Sequence, residues 1–454
     1  MAARVNFVAV VLAIAALTPE QSALRDTYEQ LVEMDTTNTT GSTTQAAEAM
    51  ADRLRRGGIP EEDIHVVGAN PKKKNLVARL RGKGKLPPLL LLAHLDVVEA
   101  RRADWSVDPF TLIEEGGYFY GRGSIDDKAM AAMFVQIVIR LRGMKEKPER
   151  DVIIALTADE EGGPDNGAEW LLRERRDLVN AGLVINEGGG GRIRDGKYIF
   201  NGLQASEKSY MTYELEARDN GGHSSLPRKD NPIYNLSAAL VRLQAYDFPV
   251  ELNEVTRGFF SRMAKIEDGA LAADFEAVLR EPPDAEAVAR LSATPAYNAL
   301  MRTTCVATRL DGGHADNALP QSARATVNCR ILPGHSAGEV QAKLTEVIDD
   351  DRVVIRATED DTSSPASELD PGIVVNVEVV TGDLWPGVPV VPTMSTGATD
   401  SRYFRRAGIA AYGVSGIFGD MNDVRAHGKD ERVGVKQFYD GYEFLKRLVE
   451  RLSY

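Results

Sequence analysis

Three apolar runs that each break off into acid or histidine constrain this chain more than any other feature. PLLLLA at 88–93 leads into His94-Leu95-Asp96, DVIIALTA at 151–158 into Asp159-Glu160-Glu161, and LVIN at 183–186 into Glu187 and four glycines. Continuously apolar runs of this length suit strands covered on both faces. Helical patterns alternate with them: 19–34 and 44–56 (stopped by Gly57-Gly58) before the first run, and 128–142 between the first and second, with Met130, Phe134, Ile137 and Leu141 on one face. With a further strand at 75–80, this alternation predicts an α/β fold, a mainly parallel sheet flanked by helices. Open sheets of that kind bind ligands at the carboxyl ends of their strands, which is where these acids stand.

The texture changes after Ser206. A half-open strand at 210–217 precedes a helix at 232–246, strands at 303–310 and 323–332, a helix at 337–348 and a strand at 352–357. That order, β-α-β-β-α-β, is a ferredoxin-like α+β unit, interrupted by an acidic helical insertion at 251–296. A linker at 361–371 returns the chain to α/β texture. The division expected is a catalytic domain from 19–205 and 363–454, with an inserted lid or dimerisation domain at 206–362.

Residues 7–17 (FVAVVLAIAAL) behind Arg4, with the small-x-small form of a cleavage site at Ala13-Ile14-Ala15, read as a signal segment within 1–18 that would export the protein to the periplasm or outside, cleaved or not. The alternative is a buried first helix in a cytoplasmic protein. No apolar run approaches the ~18 residues of a membrane span. A net charge of −13 argues against nucleic acid as partner. Two cysteines exclude a four-cysteine zinc site. Cys305 and Cys329 stand equally far from Asn317, so a simple hairpin would set them opposite each other, either bridged or as two reduced thiols.

Strand periodicity puts His94 and Asp96 on one face, where the carboxylate can hold the far nitrogen of a metal-bound imidazole. The segment Tyr120 to Lys128 (YGRGSIDDK) lacks phosphate-loop spacing, and its two acids suit a cation or a helix cap. Three consecutive acids at 159–161 repel one another unless a cation or full solvation relieves them. With Glu187 and with His427 in AHGKDE, the chain carries enough nitrogen and oxygen ligands for two metal sites sharing one carboxylate, a set zinc accepts.

In combination and in order, AHLDVV, YGRGSIDDK, ADEEGG, INEGGG, GGHSSLP, DNALP, GATDSRYF and AHGKDE resemble the two-zinc amidohydrolases and exopeptidases, the family of aminoacylase, glutamate carboxypeptidase, carboxypeptidase S and succinyl-diaminopimelate desuccinylase. The resemblance covers the chain from about Pro19 onward. It implies that two zinc ions per subunit, replaceable by cobalt or manganese, are held by His94, Asp126 (bridging), Glu161, Glu187 and His427, with Asp96 behind His94 and Glu160 as general base. It also implies a homodimer in which His223 of the inserted domain donates to the oxyanion in the partner's site. Asn317, Arg330 and the turn Gly397-Ala398-Thr399 would hold the free carboxylate of a small or short-peptide substrate. The activity implied is cleavage of an amide or peptide bond beside that carboxylate, as in a carboxypeptidase, dipeptidase or N-acyl amino acid amidohydrolase.

Two rivals are weighed against this. Gly334-His335-Ser336-Ala337-Gly338 matches a serine-hydrolase elbow, with Asp400 and His427 following in triad order. Ser336 and Glu339, however, also form a capping box ahead of a helix with one apolar face. A non-catalytic binding relative would lack several ligands, and none is missing.

Overall fold

The computed structural model describes residues 17–454. The apolar segment 7–17 lies outside them except for Leu17, and among the described residues no helix is long and apolar enough to cross a membrane.

The large sheet has ten strands. Its centre is parallel: Arg150–Thr157, Leu86–His94, Leu183–Asn186 and Ala411–Gly413 run side by side in that order. Leu89, Leu91, Ala93, Val152, Ile154 and Leu156 point to one face of it, and Leu90, Leu92, Ile153 and Ala155 to the other. All ten are buried, which is why these strands carry no polar alternation. Helices Pro19–Val32, Thr43–Arg56 and Lys128–Gly143 cover the first face; Gly167–Glu174 and Ser401–Arg406 cover the second. Antiparallel strands, among them Ile64–Gly68 and Gly190–Arg194, extend the sheet on both sides. Neither of these two carries a clear strand signature in the sequence: one is half-buried, and the other is opened by a run of glycines with no period-two signal.

Strand Lys197–Glu207 leads through Lys208 straight into Ser209–Arg218 of a second sheet. That sheet is antiparallel, in the order Thr304–Gly312, Ser322–Ile331, Ser209–Arg218, Val353–Ala357. Helices Pro232–Gln244 and Ala337–Ile348 pack on it around a separate core that includes Met211, Tyr213, Leu215, Leu236 and Leu344. Cys305 and Cys329 are cross-strand partners with Cα atoms 4.1 Å apart and form a disulfide. The hairpin is not the simple one its symmetry suggested, because a bulge between Ala307 and Arg309 shifts the register by one residue.

The helical insertion differs from expectation. Its sequence position, 251–296, lies inside the second domain, but its apolar face joins the core of the first. Helix Glu254–Ile266 buries Val255, Phe259, Phe260 and Met263 there. It comes so close to strand Val390–Ser395 that a β-carbon on Gly258 would lie 3.2 Å from Pro392. Apolar spacing of i, i+4, i+5 and i+8 specifies a buried face but not which core buries it.

Candidate active site

Because the central strands are parallel, their carboxyl ends open on one edge, and the acids and histidines collect there. His94 is the last residue of its strand and is buried. Its Nδ1 lies 3.0 Å from the main-chain oxygen of Asp96 and 3.7 Å from that residue's carboxylate. The carbonyl is therefore what orients the ring, where the sequence reading relied on the carboxylate. The Asp96 carboxylate accepts the backbone N–H groups of Glu160 (3.1 Å) and Glu161 (2.9 Å), and so shapes the turn that presents both glutamates.

Asp126 sits between the two histidines. One carboxylate oxygen is 3.1 Å from His94 Nε2, the other 3.2 Å from His427 Nε2. Glu161 approaches His427 Nε2 at 2.8 Å, and Glu187 approaches His94 Nε2 at 3.9 Å. The ligand atoms of His94, Asp126 and Glu161 lie within 4.8 Å of one another, as do those of His94, Glu160 and Glu187. Two ligands of a tetrahedral zinc at ~2.0–2.1 Å stand about 3.4 Å apart, so these separations and this donor set fit a pair of divalent cations sharing Asp126.

The charges agree with that fit. Burial, and after it the neighbouring carboxylate Glu160, pushes Glu187 well above the usual carboxyl range. Burial does the same to Glu160, with Asp400, Asp96 and Glu161 adding to it, and lifts Asp96 to about 6. Burial also favours the neutral form of Asp126, but hydrogen bonds from His427 and His94 outweigh it and leave this carboxyl below its ordinary value. Hydrogen bonds to Asp126 and Glu161 raise His427 to about 10. Enclosed carboxylates that raise one another mark a site made for positive charge. Asp159, the third acid of the run, turns aside with φ 57° and pairs with Lys73 at 2.7 Å.

Two buried acids were given no role in this site by sequence. Asp400 accepts hydrogen bonds from Thr157 Oγ1 (2.8 Å) and Asn166 Nδ2 (2.7 Å) close to Glu160. Glu207 pairs with Arg405 at 3.1 Å and accepts both Thr399 N (3.1 Å) and Thr399 Oγ1 (2.8 Å). The Gly397-Ala398-Thr399 turn is thus held from behind, at the strand end where the chain crosses between domains. In the sequence Glu207 has no distinguishing neighbour, and Asp400, though part of GATDSRYF, stands out only as the acid of the serine triad; burial reveals both here.

The remaining expected residues lie in the inserted domain. His223, in Gly222–His223, pairs with Ala318–Leu319, and Ser224 N donates to Asn317 O at 3.1 Å, so His223 and Asn317 share one exposed loop pair. The His223 Nδ1 bonds Ser225, and none of its hydrogen bonds reaches the acid cluster. Arg330 stacks over Tyr210 at 4.8 Å and, among the described residues, has no carboxylate partner. Its charge is available to an anionic ligand.

The serine triad does not form. Ser336 Oγ accepts Glu339 N (3.2 Å) while Glu339 Oε2 accepts Ser336 N (2.7 Å), and His427 belongs to the acid cluster.

The comparisons with known proteins agree with this geometry. Residues 90–451 match the model of peptidase family M20/M25/M40. The human N-fatty-acyl-amino acid synthase/hydrolase PM20D1 is 31% identical over 382 residues, covering 80% of this chain and 74% of that protein. A probable carboxypeptidase S-like 2 of Dictyostelium discoideum is 29% identical over 385 residues, covering 80% and 72%. The M20 metallo-carboxypeptidase Sso-CP2 of Sulfolobus solfataricus has the same fold, with a TM-score of 0.70 at 18% identity over 96% of this chain and 99% of that one. The chain belongs to peptidase family M20/M25/M40 and is a metal-dependent hydrolase of amide or peptide bonds.

Proposed function

We propose that this enzyme binds two zinc ions and cleaves an N-acyl amino acid, or the last peptide bond of a short peptide, next to a free carboxylate. The observation that carries this is Asp126, whose two oxygens face one histidine each. His94, Asp126 and Glu187 would hold one ion, and Asp126, Glu161 and His427 the other. Such a pair, when bound, polarises the scissile carbonyl and makes water acidic enough to attack at neutral pH.

The chain's own groups do the rest. Glu160, presented by the Asp96-bonded turn, takes the proton of the attacking water and returns it to the leaving nitrogen. Arg330 pairs with the substrate carboxylate, whose two oxygens match the guanidinium fork, and the Thr399 turn and Asn317 flank it. Similarity to an N-fatty-acyl-amino acid hydrolase favours an N-acyl amino acid over a dipeptide.

We also propose a homodimer in which His223 of one subunit donates to the oxyanion in the other. Its exposure and lack of any link to its own acid cluster support this. So does strand Thr304–Gly312, an open sheet edge carrying Val306 at 60% and Leu310 at 67% exposure. Export is the third part of the reading, supported by the disulfide, which persists in oxidising compartments.

The test is hydrolysis of a panel of N-acyl amino acids and dipeptides before and after exhaustive chelation. Activity should vanish with the metal and return with zinc, cobalt or manganese, and amidation of the substrate carboxylate should abolish it. Full turnover by metal-stripped enzyme would overturn the reading.

A further inference from the structure

The loop that supplies the shared acid and the loop that supplies the second histidine are joined by a buried ion pair to which the reading above gives no part. Glu431 follows His427 by four residues, and its side chain is wholly enclosed; Arg122, in the loop before Asp126, is 3% exposed. Arg122 Nη1 meets Glu431 Oε2 at 2.5 Å. That oxygen also accepts Gly123 N at 3.1 Å, while Oε1 accepts Ile125 N at 2.9 Å and Asp126 N at 3.2 Å. From its other end Arg122 donates through Nη2 to the carbonyls of Gly428 (3.1 Å) and His427 (3.4 Å), and its guanidinium lies over the Trp105 ring at 5.0 Å. Strand Arg432–Gly434 pairs with Tyr118–Tyr120, so the two loops leave one short ribbon side by side.

The backbone of the second histidine needs such a restraint. His427 has φ 61°, a left-handed conformation that a residue with a β-carbon holds only when its surroundings impose it. Arg122 grips its carbonyl and the next one. One buried carboxylate therefore fixes the backbone of Asp126 directly and that of His427 through Arg122. The other half of the centre touches this pair only through the shared Asp126: His94 ends a central strand and is turned by the Asp96 carbonyl, and Glu187 follows a central strand of its own.

We propose that Glu431 and Arg122 are positioning residues that set the Asp126–Glu161–His427 cation site, and that without them this site releases its ion before the His94–Glu187 site does. The proposal rests on the two-metal reading. Groups that orient metal ligands without touching the metal are typically worth ~10–100-fold in affinity.

The experiment is calorimetric titration of metal-free protein with zinc, with elemental analysis of ions retained per chain, on wild type, Glu431→Gln and Arg122→Lys. Wild type should bind two ions. Each variant should bind one ion with little loss, since only its shared ligand Asp126 is touched, and the second ~10–100-fold more weakly. Lysine keeps the charge but loses the fork, so Arg122→Lys leaves Glu431 bonded to its loop amides and carries the test if Glu431→Gln does not fold, as circular dichroism of the metal-free protein reports. Combining Glu431→Gln with Glu161→Ala should add little further loss; combining it with Glu187→Ala should leave no tight ion. Two ions bound at wild-type affinity, or equal weakening of both, would overturn the clamp. A wild-type protein that fails to bind two ions would instead refute the two-metal reading itself.

Discussion

Glu216, buried in the inserted sheet, and Glu160, half-buried in the turn after a catalytic strand, are both withdrawn from solvent, and their neighbours make them opposites. Arg324 and Arg218 meet one Glu216 oxygen at 2.7 and 2.9 Å, and Arg356 meets the other at 3.2 Å. The hydrogen bond from Arg218, with those from Arg324 and Arg356, holds its carboxyl down at about 2. Glu160 faces Asp96, Glu161 and Asp400, has no ion-pair partner among the described residues, and is pushed well up by burial and those charges. A buried carboxylate with its own arginines is architecture, complete within the chain. A group of carboxylates enclosed against one another is completed by positive charge from outside, and the chemistry lies there.

The largest effect should come from removing the basic carboxylate while keeping its shape. Glu160→Gln should retain both metals by elemental analysis and lose ~10²–10⁴-fold in kcat, the usual worth of a general base. A near-normal kcat would erase the contrast with Glu216. Next comes the one residue of the inserted domain expected to take part in chemistry. His223→Ala should lower kcat ~10²–10³-fold with metal content unchanged. Mixing its subunits with Glu160→Ala subunits should recover activity, because one site of the mixed dimer is then intact. A mixture proven to have exchanged subunits yet still inactive would rule out action across the dimer.

Glu216→Gln should leave kcat alone and cost about 2 kcal/mol of stability in urea unfolding at neutral pH, the scale of hydrogen bonds to a charged group. The folded carboxyl titrates below the unfolded one, so this contribution is present above ~4.3 and fades as pH falls toward about 2. Wild type and variant should therefore converge in acid. A difference that persists at low pH would show that packing, not charge, is what Glu216 supplies. The smallest effect is expected of Ser336→Ala: kcat kept, and about 1 kcal/mol lost with the helix cap. A large fall in its kcat would bring back the serine hydrolase.

What could be read along the chain follows from local geometry. Helix Ala337–Ile348 and its capping box were legible because the cap and the apolar face fall within a few residues of each other. The buried parallel strands were legible from their unbroken apolar runs, and the ligand set from motifs whose order alone carries a resemblance. Spacing cannot say which of two cores receives an amphipathic helix, and Val255, Phe259, Phe260 and Met263 went to the catalytic core against expectation. Nor can it distinguish a surface acid from an enclosed one, so the enclosure of Asp400, Glu207 and Glu431 showed only in the fold, although motifs contain the first and last of them.

By itself, then, the sequence determined the strand ends and the residues that stand on them, because side-chain periodicity and turn chemistry act between near neighbours. Only the tertiary structure decided that Asp126 would lie between His94 and His427, and that a carboxylate 305 positions after it would hold its amide. Contacts that distant are set by the packing of whole layers, to which every residue of both domains contributes a little and no local pattern contributes enough.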